Sequence, residues 1–341
     1  MKKLLFTLLS IGLLFNGCKK KSSDEDKNVD VYAVGYEMNQ QNIMVAKLWK
    51  NGVATALSDG KADAVAIEIA LTGTDVYIVG YEMDKSSGNR KAKLWKNGVA
   101  RDPFGVYNTN SISAHCITVS GSNLCILASQ GAYRVPVFLL WQNGMINELT
   151  HGSDTPYAAS YMALAGDDVY ITGSINNLAY VWKNGTRTDI SRGNVSQGRG
   201  IAVSNDDVYT VGSQTFGDKY CATLWRNGVA ERLSYDPLYN SMASSVVVSG
   251  NDIYVAGCLL DSNNYGGPIK VWKNGREISI ANNFNANYLP FHIGLAVWGQ
   301  DVYVAARDEG KAKIWKNGIP VNLTDGRFKA DVYAVAVRAK Q

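Results

Sequence analysis

The sequence predicts an all-β chain folded as a seven-bladed β-propeller with four-stranded blades, on three observations. Trp-x-Asn-Gly recurs with its Trp at 49, 95, 141, 182, 225, 272 and 315. Successive copies lie 41 to 47 residues apart, which suits one four-stranded sheet per unit. The repeats also begin and end on complementary parts of one unit, which is what a closed ring requires.

Residues 1–17 read as a signal peptide. Met1-Lys2-Lys3 is a charged start, and the apolar run Leu4 to Phe15 is too short for a mature membrane-spanning helix. Phe15-Asn16-Gly17-Cys18 resembles the lipobox of bacterial lipoproteins, in which the Cys is lipidated and becomes the new amino terminus. Gly17 matches that pattern, whereas Phe15 and Asn16 depart from its commoner Leu and small residues. The resemblance implies an anchor at Cys18. It also implies the outer membrane, because Lys19 stands where inner-membrane retention uses Asp, and the acidic run Ser22 to Lys27 resembles a surface-export tag. Residues 18–29 are too polar to order themselves by burying apolar area and read as a tether.

Residues 30–341 carry the repeat. The first strand of each unit is small and apolar, as in Ala66 to Leu71, Gly198 to Val203 and Ala243 to Val248. A Gly/Asn/Asp turn leads to a second strand, Asp75-Val76-Tyr77-Ile78-Val79-Gly80, echoed from Asp30, Asp168, Asp207, Asp252 and Asp301 and degenerate at Asn123. The third strand ends in Trp, and Asn-Gly then fits a two-residue type I′ turn into a short fourth strand such as Val53 to Leu57. The repeats open on a second-type strand at Asp30 and end on a first-type strand, Val332 to Val337. The carboxy-terminal strand therefore completes the amino-terminal blade, three strands plus one, and removes the exposed sheet edges.

With these segments laid out, the pattern resembles the HAF-type extracellular repeats of bacteria. Phe138 to Leu149 is the closest copy of that family's Ala-Phe-x-Trp-x-Asn-Gly run, and Ala66 to Gly80 supplies its Ala and Val-Gly portions. The long Leu-Gly run of the family is missing, and Asp-Val-Tyr is this chain's own. The resemblance spans Asp30 to Arg338 and supports the architecture, but the family brings no established activity.

Regular residues read as scaffold. One Trp per blade is expected to pack between neighbouring blades, and the repeated Asp residues read as turn residues, too regular for a single catalytic pair. Net charge is +4, or +2 without Lys2 and Lys3, with no basic block, which argues against nucleic acid. No calcium loop or zinc spacing is present, so neither metal nor cofactor is expected. Cys116, Cys125, Cys221 and Cys258 read as buried thiols, although Cys116 and Cys125 lie on paired strands and spacing does not fix their disulfide state.

Function is sought in the irregular residues. The loops after strands two and four are long, differ in every blade and emerge on one face, the usual place for binding on a rigid scaffold. Those entering the first strands hold Phe104, Tyr107, Asn108 and Asn110, then Tyr157, Tyr235, Tyr239, Tyr288 and Phe291. Aligning the first strands makes His115, Arg199 and Tyr333 equivalent, with His292 one place earlier and His151 in the loop before blade four. A ring of Tyr, Asn, Arg and His at a concave mouth suits an extracellular glycan or protein ligand. The expected ligand-binding set is His115, Arg199, His292, Tyr107, Tyr157, Tyr239, Tyr288 and Tyr333. The expected protein is a monomeric, non-catalytic binding module held to the membrane only by its lipid. The alternatives are a propeller enzyme such as a polysaccharide lyase or hydrolase, and a structural subunit of a surface complex.

Overall fold

The computed structural model describes residues 28–105, 107, 111–131, 137–149, 158–236, 238–260, 266–278 and 292–340. Cys18, with the expected signal and most of the expected tether, lies outside them, as do His151, Tyr157 and Tyr288.

Seven four-stranded antiparallel sheets form a β-propeller. In blade one the innermost strand is Ala330–Ala339, followed by Val29–Met38, Met44–Lys50 and Val53–Ala56. The ring therefore closes three plus one, with Val31 opposite Val337 and Tyr32 opposite Ala336. The remaining inner strands are Ala64–Thr72, Ile112–Ser120, Ala158–Ala165, Ser196–Ser204, Asn240–Ser249 and Gly294–Trp298. All seven Asn-Gly pairs have both residues at positive φ, from Asn51 (51°) and Gly52 (82°) to Asn317 (49°) and Gly318 (84°), as a type I′ turn requires.

Each repeated Trp packs against the preceding blade. Trp95 sits with Tyr32, Val34, Ala46 and Leu57 of blade one. Trp49 sits with Tyr303, Ala305 and Leu323 of blade seven, closing the circle. Trp225, Trp272 and Trp315 do the same, and Trp141 and Trp182 pack at the margins of the corresponding clusters. The indole N–H of Trp95 donates to the Leu57 carbonyl at 2.8 Å. Those of Trp49, Trp225 and Trp272 are buried without a partner among the described residues, so apolar burial is the main contribution of these side chains.

The repeated Asp residues do more than turn the chain. Asp75 accepts from Asn97 Nδ2 at 2.8 Å, from Lys96 Nζ at 2.7 Å and from Tyr77 Oη at 3.1 Å. Asn97 Oδ1 then accepts the Val76 N–H at 2.8 Å, and the Lys96 ammonium stands 5.0 Å from the Tyr77 ring centre. Asp30, Asp168, Asp207, Asp252 and Asp301 hold the same Lys or Arg and Asn partners in their own blades. Each cluster ties the start of the second strand to the end of the third. Blade three carries a neutral version, in which Asn123 Oδ1 accepts from Gln142 Nε2 at 3.0 Å and Asn143 Nδ2 at 3.1 Å. The departures at 123 and 142 are therefore matched, each supplying the hydrogen bond the other needs.

Two Trp replacements separate packing from mere presence. Trp225→Ala, which opens a cavity between blades four and five, is expected to cost about 3–5 kcal/mol in urea unfolding. Trp298→Ala removes the one Trp outside the repeat, which is 38% exposed, and should change stability by no more than about 0.5 kcal/mol.

Candidate functional site

The site begins with a backbone irregularity. In six of the seven blades the inner strand carries one extra residue against its neighbour, namely Ile67, His115, Ser160, Arg199, Ser244 and Tyr333. Such a bulge re-aims a side chain away from the regular alternation. It also explains the glycine that closes the second-strand motif. A Cβ on Gly80 would lie 1.9 Å from the Val65 carbonyl oxygen, and one on Gly212 would lie 1.8 Å from that of Gln197. At these two positions the lack of a side chain lets the bulged strand approach so closely. His115, Arg199 and Tyr333, equivalent by sequence, are thus the bulge residues of blades three, five and one.

These bulges bring part of the expected set together on the propeller axis. His292, from blade seven, shares a 2.9 Å hydrogen bond through Nδ1 with the Tyr161 hydroxyl of blade four. Blades four and seven face each other in a seven-membered ring, so this bond spans the channel. The His292 ring meets Tyr333 edge-on at 5.3 Å between centroids, and Tyr333 lies 6.3 Å from the Tyr36 ring. Arg199 donates to Gln197 Oε1 at 3.2 Å and is near enough to Tyr161 and His292 to act on their protonation. His115 Nε2 lies 2.6 Å from Ser129 Oγ.

The environment keeps these groups uncharged. Burial pushes the His292 pKa down to about 4, with Arg199 and His115 adding to the effect. Burial, then Arg90, brings His115 to about 4 as well. Burial raises the Tyr161 hydroxyl well above its usual range. Near neutral pH the cluster is a set of neutral hydrogen-bonding groups beside one guanidinium.

An axial cavity of about 130 Å³ is bounded by the inner strands of six blades, among them Glu68, Tyr161, Gly200, Ser245, Gly294 and Tyr333. Glu68 is a functional candidate that sequence reasoning passed over, and burial raises its carboxyl to about 7. Its signal was a single acid in the otherwise apolar run Ala66 to Leu71. Tyr161, the other residue passed over, lies in a run that reads as an ordinary strand.

The remaining expected residues are placed otherwise. Tyr107 and Tyr239 are exposed loop residues that stand apart from the channel cluster. Tyr239 shares its loop with Tyr235 and Leu238, both 73% exposed, and the Arg232 guanidinium stacks 4.8 Å from Tyr235 and 5.5 Å from Phe216. Phe104, expected among the variable loop residues, is instead buried against Leu94, Ile117 and Leu139 between blades two and three. Cys116, Cys125, Cys221 and Cys258 are free thiols.

Glu68 is the one carboxylate among the cavity's lining residues, whereas glycoside hydrolysis ordinarily takes a facing pair. The Ser129–His115 contact resembles half of a nucleophilic pair. A histidine held at about 4 is a weak base toward a serine hydroxyl, and the charge acting on it is the cationic Arg90.

No protein-family model matches the chain, and no curated protein matches it, so the HAF-type resemblance rests on the motif residues alone. Solved structures do match. The acylaminoacyl peptidase of Pyrococcus horikoshii aligns at 11% identity and a TM-score of 0.54, covering 87% of this chain and 51% of that one. Puromycin hydrolase aligns at 8% identity and a TM-score of 0.57, with coverages of 87% and 52%. The β-propeller domain of the Trilobed protease from Pyrococcus furiosus aligns at 12% identity and a TM-score of 0.52, with coverages of 87% and 93%. This chain spans about half of the first two proteins and nearly all of the isolated propeller domain. At such identities the likeness defines a β-propeller and no activity. That third propeller is described as having an open velcro topology, whereas here Ala330–Ala339 pairs with Val29–Met38.

Two measurements probe the site. Gly212→Ala should lower stability by about 1–3 kcal/mol in urea unfolding, a moderate cost because blade three already accommodates Ala128 opposite Ala114. Glu68 has a folded pKa above its unfolded value, so its stabilising contribution is complete below about 4.5 and is lost as pH rises through 7. Glu68→Gln removes that loss. The stability difference between variant and wild type should therefore shift in favour of the variant across this window in urea titrations at fixed pH values.

Proposed function

We propose that this chain is an extracytoplasmic, lipid-anchored binding module, attached through Cys18, whose variable-loop face takes an extracellular glycan or protein segment without chemical conversion. The observation that carries this reading is the group on the axis at that face. Tyr161, His292 and Tyr333 come from three different blades, are linked by a 2.9 Å hydrogen bond and a 5.3 Å ring contact, and lie beside Arg199. Neutral imidazoles, phenols and a fixed guanidinium at a concave opening suit polar ligands bound by stacking and hydrogen bonds.

Tyr235, Leu238 and Tyr239 add an exposed aromatic and apolar surface, with Arg232 held over Tyr235. Such a patch marks a contact surface more readily than an isolated exposed side chain does. The repeated Asp, Lys and Asn clusters satisfy one another within each blade and leave the opposite turns uniform.

The test is binding of the purified protein to a glycan panel and to extended peptides, beside His115→Ala, Arg199→Ala and His292→Ala. A ligand of the channel mouth should bind at least about tenfold more weakly to the Arg199 and His292 variants, each of which removes a desolvated hydrogen-bonding group. Wild-type affinity in all three variants would exclude the channel mouth as the binding site.

A further inference from the structure

We propose that the axial cavity is a receptor for a primary ammonium group, with Glu68 as its counter-ion. This deepens the binding reading and rests on the same channel. Glu68 Oε1 accepts the N–H of Ile69 at 3.0 Å, and among the described residues no Lys, Arg or His pairs with the carboxyl. Other enclosed acids of this chain are treated differently. Asp308 has Lys313 at 2.6 Å, Asp331 has Arg307 at 3.6 Å and Glu82 has Lys93 at 3.0 Å. A carboxylate enclosed without a cation is costly, and a ligand that brings the cation repays that cost on binding.

The cavity's shape and walls narrow the ligand class. Its 130 Å³ is close to the roughly 150 Å³ that holds a benzene molecule elsewhere, so it takes a group of about five or six heavy atoms. Tyr161 and Tyr333 supply aromatic surface, and the π face of a phenol ring attracts a cation within about 6 Å. Gly200 and Gly294 leave their part of the wall without side chains. A divalent metal fits poorly, since no group of three His, Cys, Asp or Glu side chains converges anywhere among the described residues. The titratable groups that feel Glu68 are Cys116 and Tyr161, both held neutral by burial, so neither competes as its cation. Arg199 acts on Tyr161 and His292, whereas the groups acting on Glu68 are its surroundings and the Ile69 amide alone. The ammonium could come from a free alkylamine or from a lysine side chain of a bound polypeptide.

Calorimetric and thermal-shift titrations of the purified protein at about pH 8, with n-butylamine and with 1-butanol, test the charge requirement directly. Butylamine should raise Tm and bind saturably, and butanol of the same size should not. Binding should weaken at least about tenfold as pH falls from 8 to 5, because Glu68 becomes protonated through about 7. Glu68→Gln, which relieves a buried charge and should fold, is expected to lose the butylamine response. Equal responses to amine and alcohol in the wild type, or unchanged amine binding by the variant, would overturn the proposal. A lysine peptide compared with its norleucine counterpart assigns the source: discrimination between them indicates a polypeptide ligand, and binding of the free amine alone indicates a small molecule. Binding of glycans that depends on Arg199 and His292, without any response to amines, would refute the ammonium receptor and leave the loop-face reading standing.

Discussion

The contact on which the rest depends is a repeated Trp laid against the blade before it. A four-stranded sheet with apolar residues on both faces does not stand alone in water, and here each sheet is covered by its two neighbours. The indole at the end of each third strand is the largest side chain in that seam. Because Trp49 of blade one packs on Tyr303 and Leu323 of blade seven, the series has no uncovered end. The three-plus-one pairing fixes the same closure through backbone hydrogen bonds along Ala330–Ala339. Stacking and closure together make the ring a rigid frame, which lets side chains from distant parts of the sequence meet on its axis.

The same repeat divides the molecule into a uniform side and a variable side, although the second strands of blades four, five and seven end in two-residue turns and not in the long loops expected there. At the uniform side each Asp, Lys or Arg, Asn and Tyr group is satisfied within its own blade, and Asp75 is held at about 2 mainly by its hydrogen bond from Lys96. At the axis the six bulges break the alternation, with a glycine opposite five of them and Ala128 opposite the sixth. The bulge position needs no particular side chain for stability, since Ile67, His115, Ser160, Arg199, Ser244 and Tyr333 all occupy it. Of these bulge residues Tyr333 lines the axial cavity, next to residues that directly follow a bulge, such as Glu68, Gly200 and Ser245.

How much of this was legible in the sequence follows from the same physics. Asn-Gly turns and Trp spacing are local signals repeated seven times and the split first unit marks the closure, so blade count, strand order and closure could be read directly. Placement of His115, Arg199 and Tyr333 at equivalent positions was also readable, because alignment of repeats is itself a statement about symmetry. The bulge was not, since inner strands such as Ala243 to Val248 are small and apolar nearly throughout and show no clear alternation for an extra residue to interrupt. Glu68 was missed because its neighbours Ala66, Ile67, Ile69 and Leu71 make a convincing strand around it. Phe104 was misplaced because nothing local distinguishes a loop aromatic that folds back between blades from one that faces solvent. Tyr161 meets His292 across 131 positions of sequence, a contact that only ring closure creates.

The electrostatics of the channel set one of its groups apart from the others. General acid–base catalysis needs groups poised near the working pH in a pair with opposed roles. Both histidines here are held near 4, Tyr161 is held neutral and Glu68 stands without a second carboxylate among the lining residues. Among the cavity's lining residues Glu68 is the one carboxyl poised near neutrality, at about 7, and a cationic guest would draw it into its charged form. A single poised carboxylate facing aromatic walls can couple charge to occupancy.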